Sequence, residues 1–406
     1  MKKKILIVSE NFYPEEFKIN DVALEWVKKG YDVDVLTQVP TYPLGKVFEN
    51  YENKWFNIEK YEGITIYRVK GITGYKSSLF KKLLKYFTFM TIASWFAIRL
   101  GEKYDFILGF NVGALTSMLP AVLIKRIYKI PLIFWTLDIW PDGVYSYGFK
   151  KRYLTDKILK AFVTFMYNNI DALAVSSQGF IGKLKPYIKK NIKIIYLPNW
   201  ADILDNSLET FSFSEDKKIQ FTFAGNIGKA QNLEKVIIGF SKLKDEYLEQ
   251  SQLNIIGNGS QYSYLKKLIL ERKYKNIILH GKKPREEISK YYKGSDFLIV
   301  SMTDTTSHAL VIPAKVQTYL AAEKPIISIV NGATSDFIKK YNLGLIANPE
   351  KINEITLVFE QSICLSDKEK KVFTHNCYQL TNTLFNKQII IDSLLKLLLE
   401  VVNKPS

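Results

Sequence analysis

Two stretches in the second half of the chain end an apolar run on glycines and lead into a helical pattern. The first, "FTFAGNIGKAQN", covers residues 221–232, and the second, "IGNGSQ", covers residues 256–261. Glycine lets the backbone approach a ligand closely, and the N–H groups at the start of a helix suit a phosphate. We therefore predict a phosphate-binding role for Gly225, Gly228, Gly257 and Gly259. An ordinary turn between a strand and a helix explains the first stretch equally well when it is taken alone.

Other patterns that carry common chemistries are missing or incomplete. "GNGSQY" is not a full G-x-G-x-x-G and lacks the acidic ribose contact, which excludes a nicotinamide enzyme, and no P-loop or nucleophile elbow is present. His280, His308 and His375 lack metal-ligand spacing, so we expect no metal site. Cys364 and Cys377 fit structural thiols in a reducing compartment.

The elements that would position these turns alternate between strand and helix, twice over. Apolar runs such as "KILIVS", "DVDVLT" and "DFILGF" recur in the first half, and runs such as "QLNIIG" and "DFLIVS" recur in the second. This pattern is typical of parallel sheets covered by helices on both faces. We predict an α/β fold with domains at residues 1–200 and 201–380, a hinge at residues 198–205, and a C-terminal helix at 381–406. Ligands of such proteins bind at the carboxyl ends of strands, here in the cleft between the halves.

The charge of the chain suggests a polyanionic partner. Its 406 residues carry a formal net charge of +17, which favours nucleic acid, an anionic membrane surface or phosphorylated substrates. Residues 76–99 combine lysines and an arginine with aromatic and aliphatic side chains, without an acid. Such a helix is suited to a lipid headgroup layer, although part of its apolar surface could be core. Its uncharged part, residues 86–98, is too short to span a bilayer, and "MKKKILIVSE" is too short for a signal peptide. We expect a cytoplasmic protein peripheral to the inner face of the cell membrane.

Taken in order, the motifs resemble those of the GT-B retaining glycosyltransferases of family 4. The second half matches with a strand, glycine turn and helix at residues 221–232, a "hGxG" strand end at Ile256–Gly259, a "GxxP" motif at 281–296, and "IPAKVQTYLAAEKPII". The resemblance implies a GT-B fold of two Rossmann-like, doubly wound domains that face a central cleft. It also implies an acceptor-binding first domain and a nucleotide-sugar-binding second domain.

Three longer motifs are similar to the bacterial L-fucosamine transferase (WbuB-like) subgroup of O-antigen and capsule assembly. They are "EEFKINDVALEWVKKGYDVDVLTQVPTYPLGK", "LDIWPDG" and "GNIGKAQ". The resemblance implies a UDP-sugar donor, an undecaprenyl-diphosphate-linked saccharide acceptor and no cofactor, because the UDP-sugar is a substrate. The basic, aromatic segment at residues 76–99 agrees with that acceptor.

The chain departs from the family at charged positions of the donor site. Asn226 and Gln231 stand where relatives carry an arginine and a lysine, and Leu310 and Thr318 stand where relatives carry two glutamates. Because a buried diphosphate needs cations, we predict that other side chains supply them. The residues expected to contact the donor, besides the four glycines, are Asn226, Lys229, Asn258, Arg285, Lys315, Gln317 and Thr318. For Lys315, Gln317 and Thr318 the alternative is an ordinary helix position.

On the acceptor side, Asp138 in "TLDIWPD" follows a strand and is the candidate catalytic residue, either orienting the acceptor or relieving charge. A turn cap is the alternative role for this carboxylate. Glu16, Lys18 and Asn20 follow the first strand and are candidate acceptor contacts, although Asn20 could instead cap the next helix.

Three other functions fit parts of the sequence. They are a GT-B transferase with a soluble acceptor, a GT-B epimerase of a nucleotide sugar, and a non-catalytic nucleic-acid-binding protein. Only the net charge supports the last, because no single-strand platform or helix-turn-helix signature is present, so we expect no nucleic-acid partner.

Overall fold

The computed structural model of the chain describes residues 2–75, 79–146, 150–201, 204, 207–213, 216–304 and 312–402. The chain divides into two compact units, one formed by Met1–Pro198 with Ile390–Ser406 and the other by Asn199–Ile389. The predicted hinge spans this division, but residues 202, 203 and 205 lie outside the described residues.

The first unit is built on a sheet that is parallel apart from one edge strand. Its strands are β1 (Lys4–Ser9), β2 (Asp32–Gln38), β3 (Phe56–Tyr61), β4 (Ile64–Val69), β5 (Phe106–Asn111), β6 (Leu132–Thr136), β7 (Ala172–Val175) and β8 (Lys193–Tyr196). They lie in the order β3-β4-β2-β1-β5-β6-β7-β8, and β3 is antiparallel to β4. The central strands β1, β2, β5 and β6 are almost entirely buried, which explains their nearly continuous apolar sequences.

Helices cover both faces of this sheet. They are α1 (Lys18–Lys28), α2 (Leu79–Leu100), α3 (Leu119–Tyr128), α4 (Asp142–Ser146), α5 (Tyr153–Tyr167) and α6 (Gln178–Leu184), joined at the end of the chain by α15 (Lys387–Val402). Right-handed crossovers place α2, α3 and α5 on one face and α1 on the other. The C-terminal helix lies beside α1, since Asp392 pairs with Lys29 at 2.8 Å.

The second unit contains a fully parallel sheet. Its strands are β9 (Ile219–Ala224), β10 (Ser251–Ile256), β11 (Ile277–Gly281), β12 (Phe297–Ser301), β13 (Ile326–Ile329) and β14 (Gly344–Ile346), in the order β11-β10-β9-β12-β13-β14. Its helices are α7 (Leu233–Ser241), α8 (Asp245–Glu249), α9 (Tyr262–Glu271), α10 (Ile288–Lys293), α11 (Ala314–Ala321), α12 (Ala333–Lys340), α13 (Ile352–Cys364) and α14 (Asp367–Asn382). Strand β9 lies in the middle of the sheet, so the turn after it emerges at the centre of the carboxyl edge.

The predicted α/β class with two Rossmann-like sheets is confirmed, and the strand runs noted in the sequence all fall on strands. The sequence interpretation missed β3. None of the residues of this edge strand is fully buried. It joins β4 through Glu62 and Gly63, both at positive φ, as in a tight hairpin.

Candidate active site

The two glycine turns of the second unit pack directly against each other. Gly225 follows β9 with φ of 145°, and Gly257 follows β10 with φ of 139°. A Cβ on Gly257 would lie 1.8 Å from the carbonyl oxygen of Gly225, and a Cβ on Gly259 would lie 2.4 Å from that of Ile227. No side chain fits at those distances. The glycines at positions 257 and 259 are therefore required by the contact between the turns, before any ligand is considered.

The amide groups of these glycines already have hydrogen-bond partners. Gly225 donates to the carbonyl oxygen of Ile256 at 2.9 Å, and Gly257 donates to that of Gly281 at 2.8 Å. The N–H of Gly228 donates to Oε1 of Gln231 at 3.1 Å, and the N–H of Gly259 donates to Oδ1 of Asn258 at 2.7 Å. This geometry agrees with the prediction that the glycines let the backbone approach a ligand closely. It does not agree with amide groups that wait without a partner for a phosphate, because all four N–H groups are already hydrogen-bonded.

A cavity of about 980 Å³ opens beside the two turns. One side is formed by the turns themselves, and the other by Lys282, Lys283, Pro284, Arg285, Ile288 and Tyr292. Among the described residues, no carboxylate lines it. Its volume lies at the upper end of the range for small-molecule sites, which suits a ligand as large as a nucleotide sugar. The cations on its wall favour an anionic ligand.

Lys315 lies behind the first turn. It is the second residue of α11, its Nζ lies 3.7 Å from the ring centroid of Phe223, and a Cβ on Gly225 would lie 2.8 Å from that Nζ. Burial lowers the pKa of Lys315 to about 7. No carboxylate of the described residues forms an ion pair with this amine, so an anion at the turn would be its natural partner.

The two positions that lack the family's cations have structural contacts of their own. Oε1 of Gln231 accepts the hydrogen bond from the N–H of Gly228. The Asn226 side chain lies between the turns. A Cβ on Gly228 would be 3.0 Å from its Nδ2, and a Cβ on Gly259 would be 2.7 Å from its Oδ1. Asn226 lines the large cavity, whereas Lys229 lines a separate cavity of about 200 Å³.

The remaining donor candidates lie on α11. Gln317 is buried, and the Thr318 hydroxyl donates to the carbonyl oxygen of Ala314 at 3.5 Å, one turn earlier. The Thr318 hydroxyl is therefore satisfied within its own helix, and a donor contact by Gln317 stays a prediction. Leu310 lies outside the described residues.

In the first unit, Asp138 lies just beyond β6. Its Oδ2 accepts a hydrogen bond from the N–H of Gly113, in the loop after β5, at 2.7 Å. Burial raises the pKa of Asp138, and the hydrogen bond from Gly113 opposes this shift only in part. The contact agrees with the turn-capping role left open by the sequence. A carboxyl group with a raised pKa is also suited to hold or orient a hydroxyl proton.

Glu15 is a buried carboxylate that the sequence interpretation did not select. It accepts hydrogen bonds from the N–H groups of Thr41 and Tyr42 at 2.7 and 2.6 Å and from Nδ2 of Asn11 at 2.8 Å. Burial raises the pKa of Glu15, and these hydrogen bonds oppose the rise. Glu15 thus connects the loop after β1 to the proline-containing loop after β2.

The candidates chosen from that loop lie around Glu15 and have different environments. Glu16 is exposed, Lys18 is half-buried at the start of α1, and Asn20 donates through Nδ2 to the carbonyl oxygen of Glu15 at 2.7 Å. This hydrogen bond stabilises the start of α1, which agrees with the alternative role of Asn20 as a helix-capping residue.

A buried ion pair lies at the same edge of the sheet. Nζ of Lys85, on the second turn of α2, is 2.9 Å from Oε1 of Glu10, directly after β1. Burial lowers the pKa of Lys85, but the charge and hydrogen bond of Glu10 outweigh that effect and raise it overall. Nζ also lies 4.4 Å from the ring centroid of Tyr75. The basic helix α2 is therefore fastened to the end of the central strand.

Several buried polar atoms near this edge have no hydrogen-bond partner among the described residues. They include both amide atoms of Gln38, Oγ1 of Thr41 and Oδ1 of Asn20 and Asn111. Leaving such an atom unpaired costs about 1–3 kcal/mol. Gln38 and Asn111 are the last residues of β2 and β5, Thr41 lies in the loop after β2, and Asn20 lies in the first turn of α1, so all four are near the carboxyl edge of the sheet.

Comparisons with known proteins agree with this geometry. The family model "Glycosyl transferases group 1" matches residues 207–375, which lie within the second unit. Over 340 residues the chain is 25% identical to the putative colanic acid biosynthesis glycosyl transferase WcaI of Escherichia coli (strain K12), with 78% of this chain and 81% of that protein covered. It is 24% identical over 208 residues to the probable glycosyltransferase WbjE of Pseudomonas aeruginosa, with 48% and 51% covered. The protein is a glycosyltransferase.

Solved structures show that the glycosyltransferase has the GT-B fold. Sucrose-phosphate synthase from Thermosynechococcus elongatus is similar with a TM-score of 0.67 at 14% identity, over 99% of both chains. The E. coli trehalose-6-phosphate protein bound with UDP-2-fluoro glucose gives 0.70 at 10% identity, over 99% of this chain and 100% of that one. Anabaena HepE in complex with UDP and glucose gives 0.63 at 12% identity, over 98% and 100%.

The first unit of the glycosyltransferase also carries the basic, aromatic segment. Residues 76–78 lie outside the described residues, and the rest forms α2. Leu84, Phe87, Trp95 and Ile98 form an exposed stripe along it, while Phe89, Ile92, Ala93 and Ala97 are buried against the sheet. Within the described part of the chain, we find no helix with the length and apolar character required to cross a bilayer.

Residues missed from the sequence had recognisable signals. Lys282 and Lys283 stand in the strand-end motif "HGKKPREE", from which only Arg285 was chosen. Glu10 follows the buried end of β1, where an acid is unusual unless it has a partner. Its partner Lys85 could not be identified, because the pairing joins residues far apart in sequence.

Proposed function

We propose that the protein is a retaining glycosyltransferase that moves a sugar from a UDP-sugar to a polyprenyl-diphosphate-linked saccharide in the assembly of a cell-surface polysaccharide. The second unit binds the donor, the first unit binds the acceptor, and no metal ion is needed. The sugar is an N-acetylated amino or deoxyamino sugar if the protein belongs to the L-fucosamine transferase subgroup, which its three long motifs favour.

One observation carries the donor assignment, namely the cavity formed by the two glycine turns and a wall of cations. Lys282, Lys283 and Arg285 face it, and no carboxylate of the described residues lines it. Lys315 stands behind Gly225 and forms no ion pair with a carboxylate in the described part of the chain. These side chains supply the charge that Asn226 and Gln231 cannot. The complexes of structural relatives with UDP and with UDP-2-fluoro glucose support a uridine diphosphate donor.

The reaction follows from an anionic leaving group held among cations. The bond between the anomeric carbon and the diphosphate oxygen breaks with both electrons going to the diphosphate, whose growing charge the lysines stabilise. The acceptor hydroxyl oxygen bonds to the same carbon from the same face, and its proton passes to the departing phosphate. Asp138 orients the acceptor hydroxyl. Because the cations come from side chains, the rate stays within about twofold when a chelator removes divalent metals.

The acceptor assignment rests on two features of the first unit. The polar side chains of Gln38, Thr41 and Asn111 have buried atoms without a hydrogen-bond partner among the residues that the structure describes, and such groups suit the hydroxyl groups of a saccharide. The exposed stripe of α2, with Lys81 and Arg99 at its ends, suits the headgroup layer that holds a polyprenyl chain. The name of the relative WcaI, which assigns it to colanic acid biosynthesis, supports a polysaccharide pathway. We therefore propose that the protein works at the inner face of the cell membrane.

Calorimetric titration with UDP, GDP and ADP tests the donor site. We expect UDP to bind most tightly. Replacing Lys315 with alanine removes one charged contact, which is worth about 1.5–3 kcal/mol and so weakens UDP binding by roughly 10-fold to 150-fold. Lys229→Ala is the matched control, because Lys229 lines the other cavity and its loss should change the affinity less than about twofold.

Unchanged UDP affinity in the Lys315→Ala variant would remove Lys315 from the donor site. A failure of every nucleotide to bind would reject the function itself. Release of UDP only in the presence of a lipid extract that contains the acceptor separates transfer from epimerisation, since an epimerase needs no acceptor to turn over its nucleotide sugar.

A further inference from the structure

The beginning of helix α5 exposes large apolar side chains to solvent. Tyr153 is 85% exposed, Leu154 66% and Ile158 61%. Leu154 and Ile158 are four residues apart and so lie on one side of the helix. Farther along, Val163 and Met166 of the same helix are buried. The exposed residues are therefore confined to the first two turns of α5, and the rest of the helix packs normally.

Basic residues surround this apolar surface. Lys150, Lys151, Arg152 and Lys157 are all exposed. The one acid in these turns, Asp156, accepts a hydrogen bond from the Tyr145 hydroxyl at 2.6 Å and pairs with Lys160 at 2.8 Å. We call residues 150–158 the α5 patch. Its apolar centre and cationic border match an anionic bilayer surface, which offers acyl chains beneath phosphate groups.

The α5 patch lies on the same face of the sheet as the stripe of α2. Helix α3 lies between them, because the Tyr128 hydroxyl donates to the carbonyl oxygen of Ile98 on α2 at 2.6 Å and Arg126 lies 5.5 Å from the Phe165 ring on α5. Ile127 of α3 is also half exposed. Three adjacent helices on this face of the sheet thus each expose apolar side chains.

Both exposed helix starts also lie at the carboxyl edge of the sheet. Helices that follow parallel strands begin at that edge. Lys85 fixes the second turn of α2 to Glu10 after β1, and Tyr145 fixes the first turn of α5 to the segment that follows Asp138. The basic, apolar surface is therefore next to the candidate acceptor residues.

We propose that the α5 patch is a second membrane-docking element, which binds anionic lipid together with α2. Two membrane contacts on one face of the sheet hold the candidate acceptor residues at a fixed distance from the lipid headgroups. A single helix would allow the first unit to rotate about the helix axis. This inference rests on the proposed function for its purpose, and it is testable without a substrate.

The test is co-sedimentation of the full chain with vesicles of phosphatidylglycerol and phosphatidylcholine, compared with vesicles of phosphatidylcholine alone. We expect wild-type protein to bind the anionic vesicles. The double variant Leu154→Glu/Ile158→Glu should bind at least about tenfold more weakly, comparably to Phe87→Glu on α2. Leu270→Glu, at a 67% exposed position on α9 of the second unit, is the control and should bind like wild type.

Melting temperature and UDP affinity report whether each variant is folded. Full binding by the α5 variant together with lost binding by Phe87→Glu would overturn the inference and leave the proposed function intact. A dimer in solution that the α5 substitutions dissociate, without vesicle binding, would also overturn it, because the patch would then bind a second copy of the chain. If the wild-type protein does not bind UDP, the proposed function is rejected. The vesicle experiment then still decides whether the α5 patch binds lipid.

Discussion

Lys315 places its ammonium nitrogen 3.7 Å from the ring centroid of Phe223, two residues before the glycine that follows β9. The ring face offers weak stabilisation to a cation, and burial lowers the pKa of this amine to about 7. Near neutral pH the free protein is thus a mixture of charged and neutral Lys315. A bound diphosphate would favour the charged form.

This arrangement predicts that UDP binding takes up a proton above neutral pH. A bound diphosphate raises the pKa of Lys315, so the affinity for UDP should fall as the pH rises from about 7 toward the pKa of the complex. Titration at pH 8, where the phosphate itself is fully ionised, in two buffers of different ionisation enthalpy measures the uptake. We expect up to about one proton for wild type and none for Lys315→Met. Equal uptake in both proteins would contradict the assignment.

The same pKa predicts the pH dependence of stability without ligand. The folded-state pKa of Lys315 is depressed from 10.5 to about 7, so the unfolded chain binds more protons between these values. Stability should therefore rise with pH through this window. Denaturant unfolding at pH 7 and pH 9.5, compared between wild type and Lys315→Met, isolates the contribution. We expect the free energy of unfolding to rise more in wild type than in Lys315→Met. A larger rise in the variant would contradict the assignment.

Gly257 should be among the least replaceable residues of the second unit. Alanine would bring its Cβ to 1.8 Å from the Gly225 carbonyl oxygen at a positive φ, and we expect destabilisation of about 2–4 kcal/mol. Gly182 on α6 is the control, since nothing lies within 4 Å of its Cβ position, and Gly182→Ala should be neutral or stabilise by up to about 1 kcal/mol. Urea unfolding measures both. Similar stability of the two variants would mean that the turns can move apart.

The pair formed by Lys85 and Glu10 should depend strongly on both partners. Removing one charge leaves the other buried and unpaired, so Lys85→Met or Glu10→Gln should destabilise the first unit by about 3–5 kcal/mol, and the double variant by less than the sum. A double-mutant cycle in denaturant provides the measurement. Additive effects would show that the two side chains act independently.

Asp138 should affect the chemical step more than donor binding. Asp138→Asn keeps the shape and the hydrogen bond from Gly113 but removes the charge, so we expect kcat to fall by roughly 10²-fold or more with UDP affinity unchanged. Burial raises the pKa of Asp138, so the acidic limb of the wild-type pH profile should lie above the ordinary range for aspartate and should be absent in the variant. Full activity of Asp138→Asn would leave Asp138 with only its turn-capping role.

The sequence was sufficient to predict the positions of the central strands, because a strand that is buried on both faces must be apolar along its whole length. It was also sufficient to place Arg285, Asn226 and the glycines at positions 225, 257 and 259 beside one cavity, because parallel strands bring their carboxyl ends together. Gly228 lines the smaller cavity instead. It was not sufficient to choose between neighbours in a loop. Glu16 was selected and Glu15 is the buried carboxylate, since loop residues have no periodicity that decides which side chain turns inward.

The side-chain oxygens of Gln231 and Asn258 occupy the amides of Gly228 and Gly259. A phosphate oxygen could replace either of them without changing the number of hydrogen bonds, because a rotating side chain leaves more easily than a backbone carbonyl. The exchange substitutes a charged acceptor for a neutral one, and charge-assisted hydrogen bonds are the stronger. The side-chain amides of Gln231 and Asn258 would thus keep the two turns in shape until an anion binds. A neutral ligand would gain no stronger hydrogen bond by displacing them.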